Sequence, residues 1–159
     1  MKLKTVPLIL ILSAAFCGAF AQDNVSIIKD GKAQAVILLS KNADSTVRVA
    51  AKEFSLYVEK ITGVRLAAAE KTPQGMLSIR FGLADETGNT FSPVLEKAMK
   101  NLQFDGFAIE ADKTGVQIVS RKKRGILYGT YFLLREYGGV IWFHPDPTDE
   151  GEYIPKSKD

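Results

Sequence analysis

Along the chain, apolar residues recur with a helical period in two stretches and alternate with polar ones in several others. Val47, Ala50, Phe54, Val58 and Ile61 form one stripe, with Arg48, Lys52, Ser55 and Glu59 between them. That spacing predicts an amphipathic helix with those four polar residues in water. Asp44 or Ser45 caps its start, and Thr62-Gly63 ends it at about Ile61. The second stretch runs from Arg121 to Pro147. Here four cations lead into Ile126, Leu127, Tyr131, Phe132, Leu134 and Tyr137, which leave little room for a solvated face. A helix apolar nearly all round is expected to be buried as the central core helix. Gly129, costing about 1 kcal/mol relative to Ala in a helix interior, marks close approach to another backbone. Gly138-Gly139 stops this helix, and an aromatic strand follows from Val140 to His144, closed by Pro145 and Pro147.

Strands fill the intervals. Val25 to Asp30 and Ala33 to Leu39 flank Asp30-Gly31, a strong hairpin dipeptide, and AVILL, apolar on both faces, reads as central. Val64 to Ala68 is a short strand. In Met76 to Gly82, Leu77, Ile79 and Phe81 share one face while Ser78 and Arg80 share the other. Asp85 to Pro93 reads as a loop, and Pro93 opens a short helix to Lys100. Phe104 to Ala111 and Val116 to Ser120 form a second hairpin across Asp112-Lys113-Thr114-Gly115, with Phe107, Ile109, Val116 and Ile118 facing the core. The tail from Thr148 is polar, with Tyr153-Ile154-Pro155 its apolar anchor. The order ββαββ(α)ββαβ predicts an α+β two-layer domain: a mainly antiparallel or mixed sheet with helices packed on one face.

The first 21 residues change this picture. Lys2 and Lys4 precede an apolar run from Val6 to Phe16, and Ala19-Phe20-Ala21 is a small-x-small site. Together they predict a secretory signal peptide cleaved after Ala21, and so a secreted or periplasmic protein. A lipoprotein signal at Cys17 fits worse, because Ala14 and Phe16 are poor residues before a lipidated cysteine. Cleavage removes the only cysteine, and with it any disulfide. It also removes two lysines and no acid, so the net charge falls from +3 to +1. The pI near 8.9 therefore does not point to nucleic acid. The 159 residues, 46% hydrophobic and 25% charged, suit one globular domain over 22–156.

Candidate chemistry is sparse. Arg121, Lys122, Lys123 and Arg124 precede a helix, where N–H groups and guanidinium groups can converge on a carboxylate or phosphate. The plainer reading is a solvated turn after an edge strand. His144 is the only histidine, beside Trp142 and Phe143, which could form a sugar-stacking platform or simply core. One histidine without cysteine excludes structural zinc. As a general base, His144 would need an orienting carboxylate, and Asp146 two residues on does not guarantee one. Asp105 and Glu110, five apart on the expected strand, point to opposite faces and do not form a glycosidase pair. No GxSxG, HExxH or phosphate-binding loop occurs. No catalytic set and no cofactor site is expected, and the candidate binding residues are Arg121, Arg124, Trp142, Phe143 and His144.

The pieces AAKEFSLYVEKITG, LSIRFG, FDGFAIE paired with VQIVS, RGILYGTYFLLREYGGVIWFHP and YIPK, in that order, resemble a known family. They look like the N-terminal domain of bacterial α-glucuronidase-type glycoside hydrolases and of the related secreted DUF4838 proteins. The β-hexosaminidase N-terminal domain is a more distant relative. The resemblance covers Val25 to Lys156. It implies an α/β domain preceding a (β/α)8 barrel that carries the catalytic carboxylates, with residues 157–159 at the junction. No residue here matches those carboxylates. The resemblance thus implies a non-catalytic accessory domain whose partner is a catalytic barrel, with polysaccharide or uronic-acid-containing oligosaccharide as possible ligand. The alternative is a stand-alone carbohydrate-binding or protein-interaction module. The expected docking surface is the aromatic exit around Trp142, Phe143, His144 and Tyr153.

Overall fold

A computed structural model describes residues 25–84, 90–144 and 151–157. The expected signal peptide, Cys17, most of the 85–93 loop, and Pro145, Asp146, Pro147 and the junction residues 158–159 lie outside the described residues.

The chain enters through a small hairpin of β1 (Ile28–Lys29) and β2 (Lys32–Ala33), paired antiparallel. Its turn is Asp30-Gly31, with φ of 51° and 67°. Two successive positive φ values make the tight turn that the dipeptide predicts. The hairpin is shorter than expected, because the second stretch divides. Ala33 ends β2, and β3 (Ala35–Leu38) joins a different sheet.

That sheet has five strands in the order β4-β3-β5-β7-β6, namely β4 (Ala68–Ala69), β5 (Leu77–Leu83), β6 (Phe107–Asp112) and β7 (Gly115–Ser120) around β3. It is mixed. β3 pairs in parallel with both β4 and β5, β5 pairs in parallel with β7, and only β6–β7 is antiparallel. Parallel strands covered on both faces read as continuous apolar runs, which accounts for AVILL.

Helix α1 (Ser45–Thr62) links β3 to β4 and is capped as predicted. The Asp44 side chain accepts from the Thr46 N–H at 2.8 Å, and Gly63 ends the helix at φ 76°. Ser55, expected in water, is buried, because its hydroxyl donates to the Leu66 carbonyl at 3.0 Å. The strand expected from Val64 begins only at Ala68. Before it can pair, the chain must round the helix end, where Val64 N–H bonds the Thr62 hydroxyl and Leu66 is buried. The short helix α2 (Pro93–Asn101) is capped by Ser92, whose hydroxyl accepts from Leu95 N–H at 3.1 Å. Strand β6 starts at Phe107 rather than Phe104. Phe104 instead sits at φ 51° in a turn closed by Gly106 N–H on the Gln103 carbonyl.

The two long helices, α1 and α3 (Lys123–Glu136), lie side by side on one face of the sheet. There they cover Ile37, Ile79, Phe81 and Ile118 in the main core. Contrary to a single helical face, α2 packs on the opposite side. Leu95 and Met99 meet Val119, the strand neighbour of Ile118, together with Phe91 and Ala108. Helix α3 is also not central. Its inner side is buried at Ile126, Thr130 and Leu134, but Tyr128 is 51% and Phe132 37% exposed, and Tyr137, just beyond the helix, is more exposed still. Gly129 does mark a close approach, but to side chains: an added Cβ would lie 2.7 Å from Ile118 Cγ2. The approach to backbone falls one turn earlier, at Gly125, beside the Asp105 and Gly106 carbonyls.

Candidate functional site

After α3 the chain turns back through Gly139, at φ 68°, and buries Val140 in the core. Only Ile141–Trp142 of the expected aromatic strand forms β8. It pairs antiparallel with β9 (Glu152–Tyr153) in a separate two-stranded ribbon. Side chains alternate across such a ribbon. Trp142 and Glu152, directly opposite one another, face the helices, while the opposed pair Ile141 and Tyr153 faces away.

On the inward side, the Trp142 ring makes edge contacts with Tyr57 of α1 at 5.4 Å and with Tyr131 of α3 at 5.2 Å. Its Nε1–H donates to the Tyr57 hydroxyl at 2.9 Å, and that hydroxyl donates to Glu152 Oε2 at 2.5 Å. Lys60 Nζ donates to Glu152 Oε1 at 2.7 Å and also lies over the Tyr57 ring. Tyr131 closes the cluster with a bond to Glu53 at 3.3 Å. Beyond the ribbon, Lys156 Nζ donates to the Lys60 carbonyl and Ser157 N–H to the Ile61 carbonyl, fastening the tail to the end of α1.

Burial raises the Glu152 carboxyl, but the hydrogen bonds from Lys60 and Tyr57 outweigh it. The net pKa lies below the ordinary 4.5. Burial and then the bond to Glu152 push Tyr57 up to about 12. A depressed folded-state pKa contributes stability that is complete above the ordinary value and is lost as pH falls through the folded value. Acidification below pH 4.5 should therefore loosen the ribbon. Trp142 is the only tryptophan, so its emission reports this directly. Wild type is expected to show an acid transition in fluorescence that Glu152→Gln flattens. An unchanged transition in that variant would contradict the assignment.

The five residues singled out from the sequence do not form one site. Arg121 is exposed, and Arg124 Nη2 pairs with Asp105 at 2.9 Å. Lys123 Nζ binds Asp44 at 2.7 Å, and this is the main reason the Asp44 carboxyl lies below its ordinary value. Two of the four cations at the turn therefore tie α3 to neighbouring acids. Trp142 docks on Tyr131, seven residues and about 10 Å along the helix from Arg124. Its ring is engaged with the helices and is not part of an outward platform, so the expected docking surface loses this member. Phe143 remains 66% exposed, Tyr153 54% and Ile141 47%, while His144 is exposed alongside. Asp105 lies in the turn before β6, not on the strand, and Glu110 accepts from the Ser92 hydroxyl. Each carboxylate is thus engaged locally. Among the described residues no three His, Cys, Asp or Glu side chains gather as a metal site requires. No helix among them is long and apolar enough to cross a membrane.

The sequence reading missed Tyr57, Lys60 and Glu152. Tyr57 is flanked by the apolar stripe of α1, and Glu152 is one of several acids in a polar tail, with nothing in the sequence to set it apart from Asp149 or Glu150.

No curated protein sequence matches the chain. The family model of the glycosyl hydrolase family 67 N-terminus matches residues 23–133, from before β1 nearly to the end of α3. The ribbon lies just past this match. With well over half of its length covered, the chain belongs to the glycosyl hydrolase family 67 N-terminus family.

Proposed function

We propose that the chain is a secreted, non-catalytic accessory domain of an α-glucuronidase-type glycoside hydrolase, and that the outer face of the β8–β9 ribbon packs against a catalytic (β/α)8 barrel. The observation that carries this reading is the family match, followed after the end of α3 by a ribbon whose outward side chains are apolar. Contiguous exposed apolar residues rimmed by polar ones mark interaction surfaces. Ile141, Phe143 and Tyr153 project from a ribbon that Trp142 anchors rigidly, so the surface is held in place before a partner arrives. The polar chemistry nearby is engaged in structure: Glu152 is bound by Lys60 and Tyr57, Asp105 by Arg124, and Glu110 by Ser92.

A second reading, a free-standing carbohydrate-binding or protein-interaction module, is favoured by Tyr128 and Phe132, exposed one turn apart on α3. Flat aromatics of this kind can receive a sugar face. Titration with oligosaccharides, followed by the tyrosine signals, separates the two.

Two results are expected of the isolated chain. It should hydrolyse no glycoside, uronic-acid-capped oligosaccharides included; turnover lost on His144→Ala would overturn the accessory reading. It should also self-associate through the ribbon, and Phe143→Ser or Tyr153→Ser should relieve this with little change in melting temperature. Light scattering that is the same for wild type and both variants would place the docking surface elsewhere.

A further inference from the structure

At the edge of the sheet farthest from β6, a cleft of about 400 Å³ lies between α1 and β4. Its floor includes Leu39, Leu66, Ala67 and Ala68, and Arg48, Lys52 and Arg65 stand around it. The Arg48 guanidinium is held by the loop before α1. Nε donates to the Ala43 carbonyl at 3.2 Å, and Nη2 to the Ser40 carbonyl at 3.3 Å and to that of Lys41. All three acceptors are neutral, so the charge is positioned but not compensated. Lys52 has no ion pair among the described residues, and Arg65 reaches Glu59 only at 3.7 Å. The nearby Glu70 is paired with Lys41.

The free edge of β4 borders the same cleft. Ile37 N–H donates to the Ala67 carbonyl and Leu39 N–H to the Ala69 carbonyl, both at 2.9 Å. In a parallel ladder the residue between them turns its own N–H and C=O away from the paired strand. Ala68 therefore presents a donor and an acceptor to the open side, and its alanine neighbours place no bulk in the way. Helix α1 connects two parallel neighbours and so runs back along them. Arg48 and Lys52 are four residues apart, about 6 Å along its axis. Alternate side chains on a strand are spaced by about 6.7 Å. A strand added beside β4 would thus bring every second side chain opposite one of these two cations.

We propose that the β4 edge takes up an extended acidic peptide segment as an added strand, with carboxylates at alternate positions received by Arg48 and Lys52 and with Arg65 at the rim. Strand addition supplies affinity through the backbone, and the cations supply specificity. Charged residues beside an edge commonly discourage strand pairing. Here they discourage neutral and basic strands and leave acidic ones as the fitting class.

The test uses the full chain, labelled for NMR, and a capped Thr-Glu-Val-Glu-Thr peptide. Expected are amide shifts confined to Ala67–Ala69 and the Arg48–Lys52 turn, weakened by salt. Lys52→Glu and Arg65→Glu should each weaken binding about tenfold or more, as removal of a close charge partner does. Both residues are exposed, so the variants should fold. A Thr-Glu-Glu-Val-Thr control should bind more weakly. Two further copies, one N-methylated at valine and one at both glutamates, block the two possible registers, and one of them should abolish binding. Absence of shifts at millimolar peptide, equal binding of the reordered control, or binding by both methylated copies would overturn the proposal.

Discussion

Replacing Trp142 by alanine should cost about 3 kcal/mol and lower the melting temperature by roughly 10 °C. The ring is wedged between Tyr57 and Tyr131, at 5.4 and 5.2 Å, and supplies the hydrogen bond that fixes the Tyr57 hydroxyl. Its removal opens a gap between ribbon and helices that neither rigid helix can close. It also exposes the Glu152 carboxylate to water and loosens its hold on Lys60. Trp142→Phe keeps an aromatic body and loses the Nε1–H bond, so it should cost less, about 1–2 kcal/mol. Self-association should be no lower in either variant, which contrasts with Phe143→Ser on the outer face. A Trp142→Ala protein that melts like wild type would show that the ribbon is not anchored by this ring.

The second large effect is expected at Gly125, and its sign opposes helix propensity. Alanine in place of glycine within a helix normally gains about 1 kcal/mol. At Gly125, however, an added Cβ would lie 2.1 Å from the Ser120 hydroxyl oxygen and 2.8 Å from the carbonyl oxygens of Asp105 and Gly106. The Ser120 hydroxyl is itself committed, donating to the Gly106 carbonyl at 2.7 Å and accepting from Lys122 N–H. Backbone oxygens cannot step aside as a side-chain tip can. Helix α3 must therefore shift off the sheet or the turn before β6 must move. Overpacking of this kind costs about 1–3 kcal/mol net. Gly125→Ala is thus predicted to destabilise, by about 2 kcal/mol in chemical denaturation. A stabilised variant would mean that the helix start is looser than the geometry indicates.

Features set by neighbours in sequence were readable from the chain. Asp44 and Gly63 bound α1, Asp30-Gly31 turns the first hairpin, and Pro93 opens α2, because caps and turns are satisfied within a few residues. The mixed α+β architecture was also readable from the order of apolar runs. The strand order was not. That β3 would pair in parallel with β4 and β5 depends on contacts such as Ile37 with Ala68 and Ala35 with Leu77, far apart in sequence, and AVILL shows only that both faces are covered. Helix α3 was misread as central because Phe132 and Tyr137 counted toward its apolar circumference, yet they lie on its outer side or just beyond its end. Gly125 and Gly129 looked alike in sequence, and only the packing distinguishes backbone from side-chain approach. At the ribbon, the aromatic cluster drew attention, but its inner members could not be sorted from its outer ones. Glu152 meets Tyr57 across 95 residues, and a two-residue strand has too little period to show its faces.

Docking of an accessory domain through the outer face of its ribbon can be read from sedimentation of the chain mixed with a family 67 catalytic barrel. A one-to-one complex is expected, which Phe143→Ser and Tyr153→Ser each weaken, while Tyr128→Ser on α3 leaves it intact. No complex at high micromolar concentrations, or a complex indifferent to both ribbon variants, would contradict it.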